Sequence, residues 1–218
     1  MKLFLDTANY PQIKELSQTA IIDGVTTNPS LMAKEGIEGK ENWIKHYTAI
    51  CALAVGPVSA EVIALDYKGM LEEAYELASL HKNIVVKIPM TKNGIKVIYE
   101  LATKGIKTNC TLIFTAAQAL LAAKAGATYV SPFIGRLEDI NEDGLGLIKS
   151  IRSIYDQFHF ETQILAASIR NQNHIVRCAE LGADVVTAPY SILVKMFDHP
   201  LTTKGLEQFL ADHKRLNG

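Results

Sequence analysis

The sequence predicts an α/β fold, a single (β/α)8 TIM barrel with an additional C-terminal helix, and three observations carry that expectation. Apolar strand-like runs alternate with helical periodicity about eight times, in units of a little under ~30 residues, the pattern of a parallel sheet with helical crossovers. The first strand runs into Asp6-Thr7-Ala8-Asn9, where an open doubly wound sheet would carry a glycine-rich phosphate turn. The chain of 218 residues is short for a barrel but within the usual range.

Strands are expected at 3–7, 24–28, 58–64, 84–89, 108–114, 129–134, 163–168 and 185–188. Helical periodicity fills the segments between them, as in 68–78. The run 116–124 closes on Ala125-Gly126 and the run 172–181 on Gly182, both glycine stop signals. Gly144-Leu145-Gly146 follows no strand and lacks a third glycine, so it is expected to be a loop feature. No Ser/Pro-rich linker divides the chain, so one domain is expected over 1–218. After the last strand, 203–214 is amphipathic, with Leu206, Phe209 and Leu210 on its apolar side. That helix either caps the barrel or docks on a neighbouring subunit.

Hydrophobic residues make up 48% and charged residues 21% of the chain, an ordinary globular balance. The net charge of −1 excludes a global attraction to nucleic acid or to an anionic membrane. Recognition of phosphate would have to come from local arginines. Cys51, Cys110 and Cys178 are odd in number and far apart, which fits buried thiols in a reducing compartment. Met1-Lys2-Leu3-Phe4-Leu5-Asp6 reaches an acid too soon for a signal peptide. No apolar stretch approaches the roughly 18 residues of a membrane span. A cytoplasmic protein is expected, with no membrane or nucleic-acid partner. The histidines at 46, 81, 159, 174, 199 and 213 show no paired ligand spacing; they are expected on the surface, and no metal site is expected.

The chemistry gathers at the strand ends. Lys87 lies in Asn83-Ile84-Val85-Val86-Lys87-Ile88-Pro89, one amine in a β-branched apolar run. Burial there favours the neutral amine, which can attack a carbonyl to form an iminium. Taken alone, such a lysine is more simply read as one that snorkels its head into water. The other strands supply companions: Asp6, then Thr26-Thr27-Asn28-Pro29, Glu61, Asn109-Cys110-Thr111, Ser131-Pro132-Phe133 with Gly135-Arg136, and Ser168-Ile169-Arg170. Seven strands delivering polar groups to one end of a barrel describe a shared site. Asp6 and Glu61 are placed to act as proton acceptor and donor, although a structural ion pair with a lysine remains open for Asp6. Arg136, Ser168 and Arg170 offer two forked guanidiniums and a hydroxyl that suit a phosphate monoester.

Together these pieces resemble the transaldolase family in its short-chain form. The resemblance rests on Leu5-Asp6-Thr7, Gly24-Val25-Thr26-Thr27-Asn28-Pro29-Ser30, Ala60-Glu61-Val62, Val86-Lys87-Ile88-Pro89, Asn109-Cys110-Thr111-Leu112-Ile113-Phe114, Ser131-Pro132-Phe133-Ile134-Gly135-Arg136 and Ala167-Ser168-Ile169-Arg170-Asn171, in order along nearly the whole chain. It implies a metal- and cofactor-free Schiff base between Lys87 and the keto carbon of a sugar phosphate. It further implies that Asp6 moves the proton of the hydroxyl beside the breaking bond, and that Glu61 and Thr111 shuttle protons through a water. Thr26, Asn28, Asn109, Ser131 and Phe133 would line the substrate site, and Arg136, Ser168 and Arg170 would grip phosphate. A carboxylate beside an amine favours the ammonium, so the site must offset Glu61 by burial and the arginines or hold Glu61 protonated.

The same scaffold implies an alternative, a fructose-6-phosphate aldolase that releases free dihydroxyacetone. In that group glutamine and tyrosine occupy the positions of Glu61 and Phe133. Phenylalanine cannot protonate an enamine, so the residues here favour transfer. The resemblance also implies a homo-oligomer, a decamer of two pentamers, in which helix 203–214 reaches a neighbouring subunit.

Overall fold

A computed structural model describes residues 1–217. Eight parallel strands, β1 (Lys2–Asp6), β2 (Gly24–Thr26), β3 (Val58–Glu61), β4 (Ile84–Pro89), β5 (Thr108–Ile113), β6 (Tyr129–Pro132), β7 (Gln163–Ala166) and β8 (Val185–Ala188), close into a barrel as β8 pairs with β1. The principal crossovers are α1 (Tyr10–Ser17), α2 (Pro29–Lys34) with α3 (Lys40–Leu53), α4 (Tyr67–Leu80), α5 (Lys92–Thr103), α6 (Ala116–Lys124), α7 (Ile134–Glu138) with α8 (Gly144–Gln157), and α9 (Gln172–Glu180). After β8 come α10 (Tyr190–Lys195) and α11 (Pro200–Asn217). Among the described residues no helix is long and apolar enough to cross a membrane.

The two-residue period of each strand divides the core in two. Outward-facing Leu5, Val25, Ala60, Val86, Cys110, Val130, Ile164 and Val186 pack under the helices. Inward-facing Phe4, Val85, Tyr129, Leu165 and Val185 form a separate apolar floor inside the barrel. Phe4 and Tyr129 meet edge-to-face there, with ring centroids 6.2 Å apart. Gly24 is required by that floor, because a Cβ on it would stand 2.8 Å from the Phe4 ring. Two residues further along their strands, Phe4, Val85, Tyr129 and Val185 give way to Asp6, Lys87, Ser131 and Thr187. The floor therefore closes the bottom of the barrel and leaves a polar layer at its C-terminal mouth.

Several expected strands end early, each for a local reason. The strand expected over 58–64 stops at Glu61, since the Glu73 carboxylate takes the backbone N–H groups of Ile63 and Ala64 at 2.6 and 3.1 Å. The second stops at Thr26, because Asn28 caps α2 by accepting from Leu31 N at 2.9 Å. The sixth stops at Pro132, where α7 begins two residues later. Gly144-Leu145-Gly146 is no loop but the first turn of α8, with Asp143 as its cap. The helix expected over 203–214 runs from Pro200 to Asn217, and its Leu206, Phe209 and Leu210 are 58%, 72% and 61% exposed.

The three cysteines are free and buried, and burial pushes their thiols up to about 11 for Cys51 and about 12 for Cys110 and Cys178. His174 is not a surface residue as expected. It is buried, with Nε2 3.0 Å from a Glu138 carboxylate oxygen and Nδ1 accepting the Arg170 backbone N–H at 3.3 Å. It thereby braces the loop after β7.

Candidate active site

The strand ends surround a cavity of about 550 Å3 at the barrel mouth. Lys87 lies against its base, 4% exposed. Register fixes its neighbours, since Glu61 on β3 pairs with Lys87 and Lys87 pairs with Asn109 on β5. Lys87 Nζ lies 3.0 Å from Glu61 Oε2 and donates to the Thr27 carbonyl at 3.1 Å. A buried cation is tolerable only with such partners. The ion pair also gives the ammonium a place to deliver its proton.

Asp6 at the end of β1 faces the same cavity. Its Oδ1 accepts from Thr26 Oγ1 at 2.7 Å. Thr26 Oγ1 is in turn 2.6 Å from Thr187 Oγ1. With the Thr26 proton on Asp6, Thr187 is the donor in that second bond, so a chain of two hydroxyls steadies one carboxylate oxygen. Burial raises the Asp6 carboxyl above its ordinary value, opposed by the Lys87 cation, the Thr26 hydrogen bond and the Lys34 cation. A raised carboxyl in a cleft beside a lysine is what general-base chemistry uses.

Asn109 is brought close but walled off from the cavity. Its Nδ2 donates to Ser59 Oγ at 3.2 Å, and its Oδ1 accepts from Ser131 Oγ at 2.8 Å. Ser131 lines the cavity with its proton already committed, so its lone pairs can accept from a bound hydroxyl. Asn109 acts on the cavity through that serine. Thr111 is 1% exposed, and its hydroxyl has no hydrogen-bond partner although the residue lines the cavity. An orphaned buried hydroxyl there can be satisfied by a water or a ligand oxygen.

A bulge in β5 sets this wall. The pairing with β6 shifts between Cys110 and Ile113, and Leu112 has φ 61°. The extra residue lets both Thr111 and Leu112 line the cavity while Ile113 returns to the helix-facing core. A leucine in the left-handed region is uncommon, and such strain gathers at functional sites.

The rim is different in character. Arg136, on α7, is exposed, with its guanidinium 5.0 Å from the centroid of the Phe133 ring. Phe133 itself stacks edge-on against Phe114 at 5.8 Å. Arg170 is exposed and holds Asp139 at 2.6 Å. Ser168 between them adopts φ 60°. Gly135 makes this corner possible, because a Cβ there would lie 2.1 Å from the Ser168 carbonyl oxygen and 2.8 Å from the Arg170 side chain.

All the expected site residues except Asn109 therefore line one cavity. Thr187, Lys34 and Ser30 line it as well without having been anticipated. Thr187 had a signal, the inward parity of the strand Val185-Val186-Thr187-Ala188. Lys34 and Ser30 had none, because α2 was hidden behind Pro29. Tyr47 is another addition: buried on α3, it meets Thr27 Oγ1 at 3.1 Å behind the lysine's carbonyl partner. Among the described residues no three His, Cys, Asp or Glu side chains form a group able to hold a metal ion.

Comparison with known proteins now decides the family. The family model described as transaldolase/fructose-6-phosphate aldolase matches residues 3–217. The chain belongs to that family. Curated relatives named probable transaldolase match it end to end. One from Cytophaga hutchinsonii is 60% identical over 218 residues and one from Flavobacterium psychrophilum 61% over 217, each covering 100% of both chains. Another from Bacteroides thetaiotaomicron is 58% identical over 218 residues, again covering both chains completely. A solved structure, the thiamine phosphate pyrophosphorylase of Pyrococcus furiosus, superimposes with a TM-score of 0.61 at 14% identity, covering 86% of this chain and 85% of that one. This last likeness is one of barrel fold alone.

Proposed function

We propose that the chain is a cytoplasmic transaldolase of the non-oxidative pentose phosphate pathway. It moves a three-carbon dihydroxyacetone unit from fructose 6-phosphate or sedoheptulose 7-phosphate to erythrose 4-phosphate or glyceraldehyde 3-phosphate. The observation that carries the reading is a buried Lys87 in contact with Glu61, in one cavity with Asp6 and beneath two rim arginines.

Lys87 passes a proton to Glu61 across 3.0 Å, and the free amine attacks the ketose carbonyl. Glu61, with a water held by Thr111, returns protons as the carbinolamine loses water to give the iminium. Asp6 takes the proton of the hydroxyl on C4, the C3–C4 bond breaks, and its electrons flow into the iminium to leave an enamine. Ser131 and Asn28 hold the hydroxyls of the retained fragment, while Arg136, Ser168 and Arg170 hold the phosphate of the aldose. The enamine carbon then adds to the acceptor aldehyde, Asp6 protonates the aldehyde oxygen to give the new hydroxyl, and water hydrolyses the regenerated iminium to release the product from Lys87. At the position where a tyrosine could protonate the enamine and free it, Phe133 carries no acid.

The test is fructose 6-phosphate with and without erythrose 4-phosphate. Seven-carbon product with acceptor present, and little free dihydroxyacetone without it, supports transfer. Release of dihydroxyacetone at the same rate without acceptor would make the chain an aldolase. The exposed apolar face of α11 supports a homo-oligomer in which that helix docks on a neighbour, and the family resemblance extends this to a decamer of two pentamers; a monomer in light scattering would refute both.

A further inference from the structure

The cavity holds a cation to which the catalytic scheme assigns no work. Lys34 is the last residue of α2, directly after β2, and lines the cavity. In a closed ring of eight strands β2 stands across the mouth from β6, whose end carries Arg136. Its position is also marked electrostatically, since its charge is felt by the Asp6 carboxyl. Lys34 thus stands on the Asp6 side of the mouth, after the strand that pairs with β1.

Its place on the cavity wall, rather than on the outer surface, is what sets it apart from an ordinary solvated lysine, and two observations bear on its role there. First, among the described residues its ammonium takes part in no ion pair and donates no hydrogen bond, although Arg170, also on the rim, is tied to Asp139. Second, charge balance leaves room for it. Asp139 offsets one of the two rim arginines, so they present a single net positive charge to a phosphate that carries about −1.5 to −2 at neutral pH. Among the residues lining the cavity the cations Lys34, Lys87, Arg136 and Arg170 outnumber the carboxylates Asp6 and Glu61, and an excess of like charge at one mouth favours the entry of an anion. With Lys34 included, the rim matches a phosphate dianion.

We propose that Lys34 is a substrate-binding residue that contacts the phosphate of the aldose from the wall opposite Arg136 and Arg170, and so sets the preference for phosphorylated over free aldoses. The proposal rests on the reading of the rim as the phosphate site. It adds a residue on a different element, and it predicts a discrimination that loss of chemistry would not produce.

Lys34→Met is to be compared with the wild type using erythrose 4-phosphate and erythrose as acceptors. In ping-pong transfer, kcat/KM for the acceptor is independent of the donor, so the two acceptors isolate the contact. Loss of one charge-assisted contact should lower kcat/KM about tenfold for the phosphate and less than about twofold for erythrose. Lys34→Arg should restore most of the preference, and added salt should weaken the wild type more than Lys34→Met. Borohydride trapping with free dihydroxyacetone should be unchanged in both variants, which verifies an intact site. Equal losses on both acceptors would overturn the proposal in favour of an action through Asp6, and no loss on either would overturn it outright. A wild type that does not prefer the phosphorylated acceptor would instead refute the phosphate reading of the rim, and the proposal with it.

Discussion

At the base of the cavity Lys87, Thr26 and Ser131 are buried and already bonded, and at the rim Arg136, Arg170 and Lys34 stand exposed around open space. The base rests on eight paired strands and an apolar floor that cannot shift without opening the barrel. The rim rests on short helices and on loops that contain Ser168 in the left-handed region. Bond-breaking needs groups held within a fraction of an ångström, and burial supplies that. Capture of a charged sugar needs reach and long-range attraction, which exposed cations supply. One barrel mouth therefore separates chemistry from charge recognition by depth.

That contrast can be broken from the base first. Lys87→Met should reduce transfer by about 10⁴-fold or more, since nucleophile and electron sink vanish together. The readout is product formation under saturating substrates.

Asp6→Asn is expected next, with a loss of about 10²–10⁴-fold and an opposite effect on stability. Burial raises the Asp6 carboxyl in the folded chain. The folded state therefore holds that proton more tightly than the unfolded one. Stability from this group is full below the unfolded value and is lost as pH rises through the folded value. At neutral pH the ionised Asp6 works against folding, so Asp6→Asn should melt higher than wild type at pH 7, with the gap closing in acid. The same shift places the acid limb of wild-type kcat/KM above the ordinary carboxylate range, and Asp6→Asn should lack that limb. Identical melting at both pH values would contradict the assignment.

At the rim the effects should be smaller and confined to binding. Arg170→Ala should raise KM for phosphorylated acceptors about 10–100-fold through loss of a charged hydrogen-bonding contact, with kcat nearly unchanged and free dihydroxyacetone unaffected. Smallest in kcat is Gly135→Ala, whose Cβ would meet the Ser168 carbonyl at 2.1 Å. It should cost about 1–3 kcal/mol of stability and raise KM by displacing Ser168 and Arg170. Calorimetry and steady-state kinetics check the two parts.

The base was legible in the sequence because it sits on strands, where two-residue parity couples an apolar floor residue to a polar one above it. Phe4 predicts the direction of Asp6, and Val85 that of Lys87. The rim was legible only in residue type. Arg136 and Arg170 could be named from their places after strands six and seven, but α7 and the seat of Arg136 on Phe133 could not, since five-residue helices carry too little periodicity to be read. Lys34 was missed for the same reason on α2. The bulge at Leu112 broke parity from within a strand, which no local pattern announced. Asn109 was expected at the substrate site, and its side chain bridges Ser59 and Ser131 behind the cavity wall; strand position gave its direction but not its partners.

Covalent capture addresses the central claim most directly. Incubation with fructose 6-phosphate and sodium borohydride, followed by peptide mass spectrometry, should find a reduced sugar-imine adduct on Lys87, and none in Lys87→Met. An unmodified Lys87, or an adduct on another lysine, would contradict the account.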